Sequence, residues 1–202
     1  MNTEALFKLS YGLYLLSVRS YGQDNACIIN TAVQVSLEPM HIAVSVSKSN
    51  KTHDMIMESG RFNVCPLTTD TPFALFERFG MQSGRSVNKF IGFEDAVRSD
   101  NGILRLARYS NAFISAKLVR TVDLGSHTLF IASLEDAQIL SDAPTCTYDY
   151  YQRHIKPQPK KREKTTWVCK VCGYVYEGDE LPEDYICPLC KHGKEDFEII
   201  PA

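Results

Sequence analysis

Trp167-Val-Cys169-Lys-Val-Cys172-Gly173-Tyr174, followed by Cys187-Pro188-Leu-Cys190, is the stretch around which the chain is organised. Its two Cys-x-x-Cys pairs stand fourteen residues apart. A pair at this spacing can aim both sulfurs at one ion. Two pairs make a closed tetrahedral thiolate site of the kind that holds Zn²⁺ or a single iron. The segment from Thr166 to Ala202 has 37 residues, too few to bury a self-sufficient core. Metal binding must therefore supply much of its folding free energy. Spacing alone fits the common zinc ribbons. The surroundings fit iron: Trp167, Tyr174, Tyr176 and Phe197 can form a small aromatic core. Backbone N–H groups in such tight loops can bond the sulfurs and tune a redox potential.

Outward from this segment, the chain of 202 residues has room for one full domain before it. The division expected is 1–151 for that domain, 152–165 for a linker and 166–202 for the metal domain. The formal charge of −2 is unevenly spread. Residues 166–202 hold eight acids and three bases, whereas residues 152–164 hold six bases and one acid. The run Lys160-Lys161-Arg162 reads as a solvated tether stiffened by Pro157 and Pro159, and no nucleic-acid partner is expected. No apolar run approaches the roughly 20 residues of a membrane span, and the N-terminus lacks a signal-peptide pattern. Seven cysteines, four of them better used on metal, suit a reducing cytoplasm. Cys27, Cys65 and Cys146 lie in or beside apolar runs and read as small buried hydrophobes.

Cys-x-x-Cys-Gly-Tyr, Tyr176-Glu-Gly178-Asp and Cys-Pro-Leu-Cys, with Phe197 downstream, resemble a rubredoxin, and more closely the short rubredoxin domain of rubrerythrin-type proteins. That resemblance implies one iron on Cys169, Cys172, Cys187 and Cys190. Lys191 departs from the Gly that usually follows the fourth Cys.

The first 150 residues read as many strands and few helices. Strands are expected at 12–20, 26–36, 40–47, 61–66, 103–108, 112–121 and 127–140. Ile42, Val44 and Val46 alternate with Ala43, Ser45 and Ser47. A helix is expected at about 53–58, with Asn50 or Thr52 as N-cap and Gly60 as its stop. A second is expected from Thr71-Pro72 to Gly80, with Phe73, Phe76 and Phe79 on its apolar side. Such a mostly β pattern predicts a closed or partly open β-barrel. No Rossmann fingerprint is present.

Two stretches carry candidate chemistry: Asn30-Thr31-Ala-Val-Gln34-Val-Ser36 with the following Ser47-Lys48-Ser49-Asn50-Lys51-Thr52-His53, and Ser83-Gly84-Arg85-Ser-Val-Asn88-Lys89-Phe90. Both resemble the flavin-reductase-like, FMN-binding split-barrel family. A flavin phosphate needs hydroxyls, N–H groups and a cation; Ser47, Lys48, Asn50 and the N-terminus of the following helix can supply them. The resemblance adds His53, from the family's Asn-x-Thr-His run, to the flavin-binding set. Ser83, Gly84, Arg85 and Lys89 are expected to close from the other side. Asn30, Thr31, Gln34 and Ser36 offer donors and acceptors to the polar edge of the ring. For each residue taken singly, ordinary turn and cap chemistry is the plain alternative. His127 begins a run, His-Thr-Leu-Phe-Ile-Ala, that in this family lies toward the flavin. It either orients nicotinamide or is a strand-end His bonded to backbone.

The two modules together resemble the high-molecular-weight rubredoxins of anaerobic bacteria. The resemblance implies electron flow from NADH or NADPH through FMN to the iron, then to a flavodiiron protein reducing O₂ or NO. A rubrerythrin-type peroxidase is the alternative acceptor, and a homodimer is the expected assembly. Rival readings are a free-flavin or ferric reductase with a structural Cys₄ module, a pure electron carrier, and a non-enzymatic zinc-ribbon module.

Overall fold

The computed structural model describes residues 2–158, 166–178 and 180–200. The expected tether residues 159–165, and Asp179 of the Tyr-Glu-Gly-Asp motif, lie outside them. Two compact units are formed, Met1–Pro157 and Gln158–Ala202. The first unit ends after the residue expected to close it, because a helical segment continues beyond 151.

Seven strands form the main sheet: β1 (Tyr14–Ser20), β2 (Gln23–Ile29), β3 (Ala32–Leu37), β4 (Met40–Ser47), β5 (Arg61–Pro66), and then β8 (Ala112–Asp123) and β9 (His127–Ile139). A separate hairpin, β6 (Ala96–Arg98) with β7 (Leu104–Leu106), lies between them in sequence. The order across the sheet is β2-β1-β5-β8-β9-β4-β3, every neighbouring pair antiparallel. Strands β2 and β3 are thus consecutive in sequence yet occupy opposite edges. A flat seven-stranded sheet would hold its edges roughly 29 Å apart. Only Asn30 and Thr31 join them, and two residues bridge at most about 11 Å. The sheet must curl until its edges meet, and Asn30-Thr31 is the seam. The single strand expected at 26–36 is therefore two strands with a crossing between them.

The barrel interior is filled by Leu16, Val18, Val44, Val46, Phe62, Val64, Phe130 and Ala132 among others. Ile42, Val44 and Val46 are buried as the alternation predicts, and Ala43 is buried too, since β4 is covered on both faces. Helix α1 (Lys51–Ser59) buries Thr52, Met55 and Ile56. It begins two residues earlier than expected, after Asn50 in an extended conformation, and stops at Gly60 in the left-handed region (φ 65°).

A second core joins Leu15, Cys65, Leu75, Phe76, Phe79, Leu106, Phe113, Cys146 and Tyr151. Helix α2 (Phe73–Phe76) widens into a π-helical turn over Glu77–Met81, so it passes the expected stop at Gly80. Phe79 meets Phe90 and Phe93 with ring centroids 5.2 and 5.1 Å away. Helix α3 (Tyr148–Tyr150) continues as a π-helical turn over Tyr151–Ile155. Thr147 caps it, its hydroxyl accepting from the Tyr150 N–H at 3.1 Å. Tyr151 packs against Phe76, ring centroids 4.5 Å apart and planes tilted by 42°, and is buried. Ile155, within the expected linker, packs against the same core. Cys27, Cys65 and Cys146 are all buried, and desolvation raises Cys65 and Cys146 to about 11, so both remain thiols.

The hairpin β6–β7 is held by a buried polar network. Asn63 Nδ2 donates to Ser99 Oγ (2.8 Å), and Asn101 Nδ2 donates to Asn63 Oδ1 (2.7 Å) and to Ser115 Oγ (2.6 Å). The strand expected at 103–108 is shorter, Leu104–Leu106, and pairs with Ala96–Arg98.

The second unit is a three-stranded sheet, β10 (Thr166–Cys169), β11 (Val175–Glu177) and β12 (Phe197–Ile200), in the order β11-β10-β12. No described helix of either unit is long and apolar enough to cross a membrane.

Candidate functional site

In the second unit the sulfurs of Cys169, Cys172, Cys187 and Cys190 lie within 4.8 Å of one another. The two halves repeat one loop. Cys169 N–H donates to the Tyr174 carbonyl (2.9 Å) and Gly173 N–H to the Cys169 carbonyl (2.8 Å). Cys187 N–H donates to the His192 carbonyl (2.8 Å) and Lys191 N–H to the Cys187 carbonyl (2.9 Å). Gly173 (φ 74°) and Lys191 (φ 64°) hold the same left-handed position. Lys191 thus adopts the conformation that glycine adopts in the first loop, at a cost of about 1–2 kcal/mol.

Burial works against ionisation of Cys187. The N–H groups of Cys190 and Leu189, with Cys172 and Cys190, outweigh it and hold this thiol down to about 6. A donor set of four clustered sulfurs, with N–H groups on one of them, fits a tetrahedral thiolate metal. Cys169 and Cys187 are buried, Cys190 is half-buried and Cys172 is exposed. Val171 and Leu189, next to the outer sulfurs, are exposed as well. Trp167, Tyr174, Tyr176 and Phe197 form the expected aromatic core, joined by Tyr185 and Leu181, which the sequence reading missed.

In the first unit a cleft of about 490 Å³ opens at the seam. It gathers Asn30 and Thr31, Ser47 and Asn50, and His127 from three separate places in the chain. Ile28, Ile29, Leu13 and Leu124 supply apolar wall, and Tyr148 closes one side. The volume suits one cofactor-sized ligand. The N-terminus of α1 carries no side-chain cap, and its N-cap residue Asn50 lines this cleft. Its first N–H groups are thus donors that an anion at the cleft can use. The lining fits a planar ring with one polar edge and an anionic tail.

The other expected residues lie elsewhere. Gln34 lines a mostly apolar cavity at the barrel mouth with Tyr14, Ile42 and Leu134. Gln34 Nε2 bonds the Ser36 carbonyl, and Ser36 lines none of these cavities. Lys48 is paired with Asp123 at 2.6 Å. His53 is turned inward, with Nε2 2.9 Å from Thr128 Oγ1 and Nδ1 2.9 Å from Asp54 Oδ1. Lys89 is buried and donates to the carbonyls of Ala26 (3.0 Å) and Phe79 (2.9 Å), so it ties backbone together rather than facing the cleft.

Gly84 and Arg85 line a separate polar cavity, where Gly84 leaves no room for a Cβ beside Asn25. Ser83 Oγ accepts from Arg85 N–H and shapes that loop. Arg85 donates to Asp54 (2.7 Å) and to the Ser49 carbonyl (3.2 Å), which joins the loop to the α1 entry. His127 Nδ1 is 2.9 Å from Ser126 Oγ, a side-chain partner rather than backbone. Tyr148 was missed. Its only signal was a Thr cap before an aromatic run.

Asp54 is the hinge of this joint. The His53 contact first, and Arg85 after it, outweigh partial burial and hold its carboxyl below the usual range. Its folded pKa is depressed, so its contribution is complete above the unfolded value of about 3.9 and fades as pH falls through the folded value. We expect Asp54→Asn to be less stable than wild type at about pH 6, with the difference shrinking as pH falls below about 4. Parallel denaturation curves across that range check this; a gap independent of pH refutes it.

Comparison with known proteins gives each unit a family. Residues 6–158 match the flavin reductase like domain family, and residues 167–198 match the rubrerythrin, rubredoxin-like domain. The high molecular weight rubredoxin of Moorella thermoacetica is 34% identical over 99% of this chain and 100% of its own. A ferric-chelate reductase (NAD(P)H) of Archaeoglobus fulgidus is 39% identical over 75% of this chain and 89% of its own. The NADH:FAD oxidoreductase of Streptomyces globisporus C-1027 shares the barrel fold, with a TM-score of 0.65 at 18% identity over 79% of this chain and 92% of that one. The fold and the two sites define an oxidoreductase that joins an FMN-binding barrel to a rubredoxin-type iron centre. The chain belongs to the flavin reductase like domain family and, in its two-domain form, to the high molecular weight rubredoxins.

Proposed function

We propose that the protein takes electrons from NAD(P)H at the seam cleft and delivers them, through the Cys₄ centre, to a separate flavodiiron O₂ or NO reductase. The observation that carries this reading is the presence on one chain of a cofactor-sized cleft and a sulfur cluster with an exposed edge. A bound flavin supplies the conversion of a two-electron input into single-electron output, which one iron can accept. Asn30, Thr31 and Ser47 meet the polar edge of the ring. Asn50 and the α1 N-terminus meet the phosphate. His127 orients the nicotinamide at the rim. The exposed Cys172 edge, between Val171 and Leu189, is where electrons leave.

Eight acids on residues 166–202 favour a basic docking face on the acceptor. A rubrerythrin-type peroxidase is the alternative acceptor. We also propose a cytoplasmic homodimer; the exposed Val33, Val35, Leu37 and Met40 on β3 and β4 fit a second copy. A second reading, a ferric reductase with a structural Cys₄ module, is favoured by the Archaeoglobus relative.

Anaerobic rapid mixing of pure protein with NADH separates the two readings. The expected result is loss of the yellow flavin band followed by loss of the red thiolate–iron band. Adding flavodiiron protein and O₂ is expected to raise NADH consumption, less so at high salt. One zinc per chain, or a red band that persists while flavin turns over, overturns the electron path.

A further inference from the structure

The two Cys loops of the second unit share a backbone but not their side chains. Tyr174, which follows Gly173 in the first loop, packs into the aromatic core. Lys191 and His192, at the same two places in the second loop, are both exposed. Among the described residues, the Lys191 side chain has no hydrogen-bond or ion-pair partner. An unpartnered, exposed side chain adds little to the loop's stability, and the left-handed backbone beneath it (φ 64°) favours glycine. Strain of this kind persists where a side chain has a role beyond folding.

We propose that Lys191 raises the reduction potential of the metal centre, its ammonium favouring the more negative, one-electron-reduced state. Three observations carry this. The first is position. Lys191 directly follows the ligand Cys190, whose sulfur lies 3.6 Å from that of Cys169. Consecutive Cα atoms are about 3.8 Å apart, so the ammonium is tethered within roughly a Debye length of the sulfurs.

The second is the charge of the centre. Four thiolates around Fe³⁺ carry a net single negative charge, and one added electron, giving Fe²⁺, doubles it. No bond is made or broken in that step. A cation nearby stabilises the doubly negative state more than the singly negative one. The third is the surrounding charge. Residues 166–202 hold eight acids and three bases, a background that disfavours an added electron. Of those bases, Lys170 donates to the Glu195 carbonyl at 3.0 Å. Lys194 opens the short turn Lys194–Asp196, with Glu195 and Asp196 beside it. Lys191 is the base that adjoins a ligand with its ammonium uncommitted.

The test compares full-length, FMN- and iron-loaded wild type with Lys191→Gln, Lys191→Arg and Lys191→Gly. Midpoint potentials are read from the red thiolate–iron band during titration with dithionite and redox dyes, so the outcome is independent of the donor and the acceptor proposed above. The reference is the potential at which half the wild-type iron is reduced, in low salt. There the Gln and Gly variants are expected to show a ferrous-to-ferric ratio about threefold lower. Lys191→Arg is expected to keep the wild-type ratio, and molar salt to narrow the gap. Lys191→Gly also relieves the backbone, and is expected to hold its metal against a chelator at least as well as wild type. A centre no less stable yet harder to reduce is an outcome that a merely structural lysine does not give. Equal midpoints for wild type and Lys191→Gln in low salt overturn the proposal. So does a gap that salt leaves unchanged, or a Lys191→Gly variant that loses metal faster than wild type.

Discussion

Cys187→Ser is expected to leave residues 166–200 without metal and unfolded, with the barrel and its flavin intact. The ledger of the small unit explains why. Its buried apolar set is Leu181, Phe197 and two of the ligands themselves, with Trp167, Tyr174, Tyr176 and Tyr185 packed around them. So small a core does not offset the entropy of ordering more than thirty residues at about 1–2 kcal/mol each. A structural thiolate metal contributes on the order of 10–16 kcal/mol, as much as the whole stability of a typical domain. Removing the buried ligand held down to about 6 takes away a sulfur suited to remain a thiolate near neutrality.

The readout is unusually clean, because Trp167 is the single tryptophan of the chain and lies in this unit. Its fluorescence is expected to shift to that of exposed indole, and the red band to disappear, while the flavin remains bound. A variant that keeps the native Trp167 emission without metal refutes the ledger. Loss of flavin from it refutes the independence of the two units.

Phe130→Ala is expected to cost the barrel about 3–5 kcal/mol. Phe130 is fully buried and lies opposite Val44 on one side and Thr121 on the other. Its ring also meets the edge of His53 at 5.4 Å. That contact supports the chain of side chains from Thr128 through His53 and Asp54 to Arg85. The variant should therefore lower flavin affinity as well as stability, although Phe130 lines no part of the seam cleft. Denaturant titration followed by flavin release measures the loss, with Trp167 emission as the internal control for the other unit. A midpoint change worth under about 1 kcal/mol means that the interior collapses around the gap and carries no cleft geometry.

The four sulfur ligands were legible in the sequence because they are close in the chain and their spacing is itself the geometry, whereas iron rather than zinc was legible only by resemblance. Cys169, Cys172, Cys187 and Cys190 converge as read. The strands were legible by alternation, and α1 by its Gly60 stop. The cleft was legible only in part, because its residues meet through sheet closure. Asn30, Thr31, Ser47, Asn50 and His127 converge, whereas Gln34 and Ser36 run on along β3 away from the seam.

Lys48, Arg85 and Lys89 illustrate a limit of composition. A cation near a turn reads as an anion ligand, yet each of these is committed to a protein partner: Asp123, Asp54, and two backbone carbonyls respectively. Tyr148 was invisible for the opposite reason, since its place comes from the pairing of Gly12 with Thr147, far apart in sequence, and leaves no local pattern.

The two-residue crossing at Asn30-Thr31 has a bearing on how such a barrel can diversify. Hairpin tips such as Gly22 or Gly125 can lengthen without moving the strands they join. The crossing has no such slack, since any added residue lets the edges of the sheet part. The same two residues line the seam cleft. Lineages of this fold are thus free to acquire new loops around the rim, or a whole new domain at the C-terminus, while the length of this one connection stays fixed by ring closure.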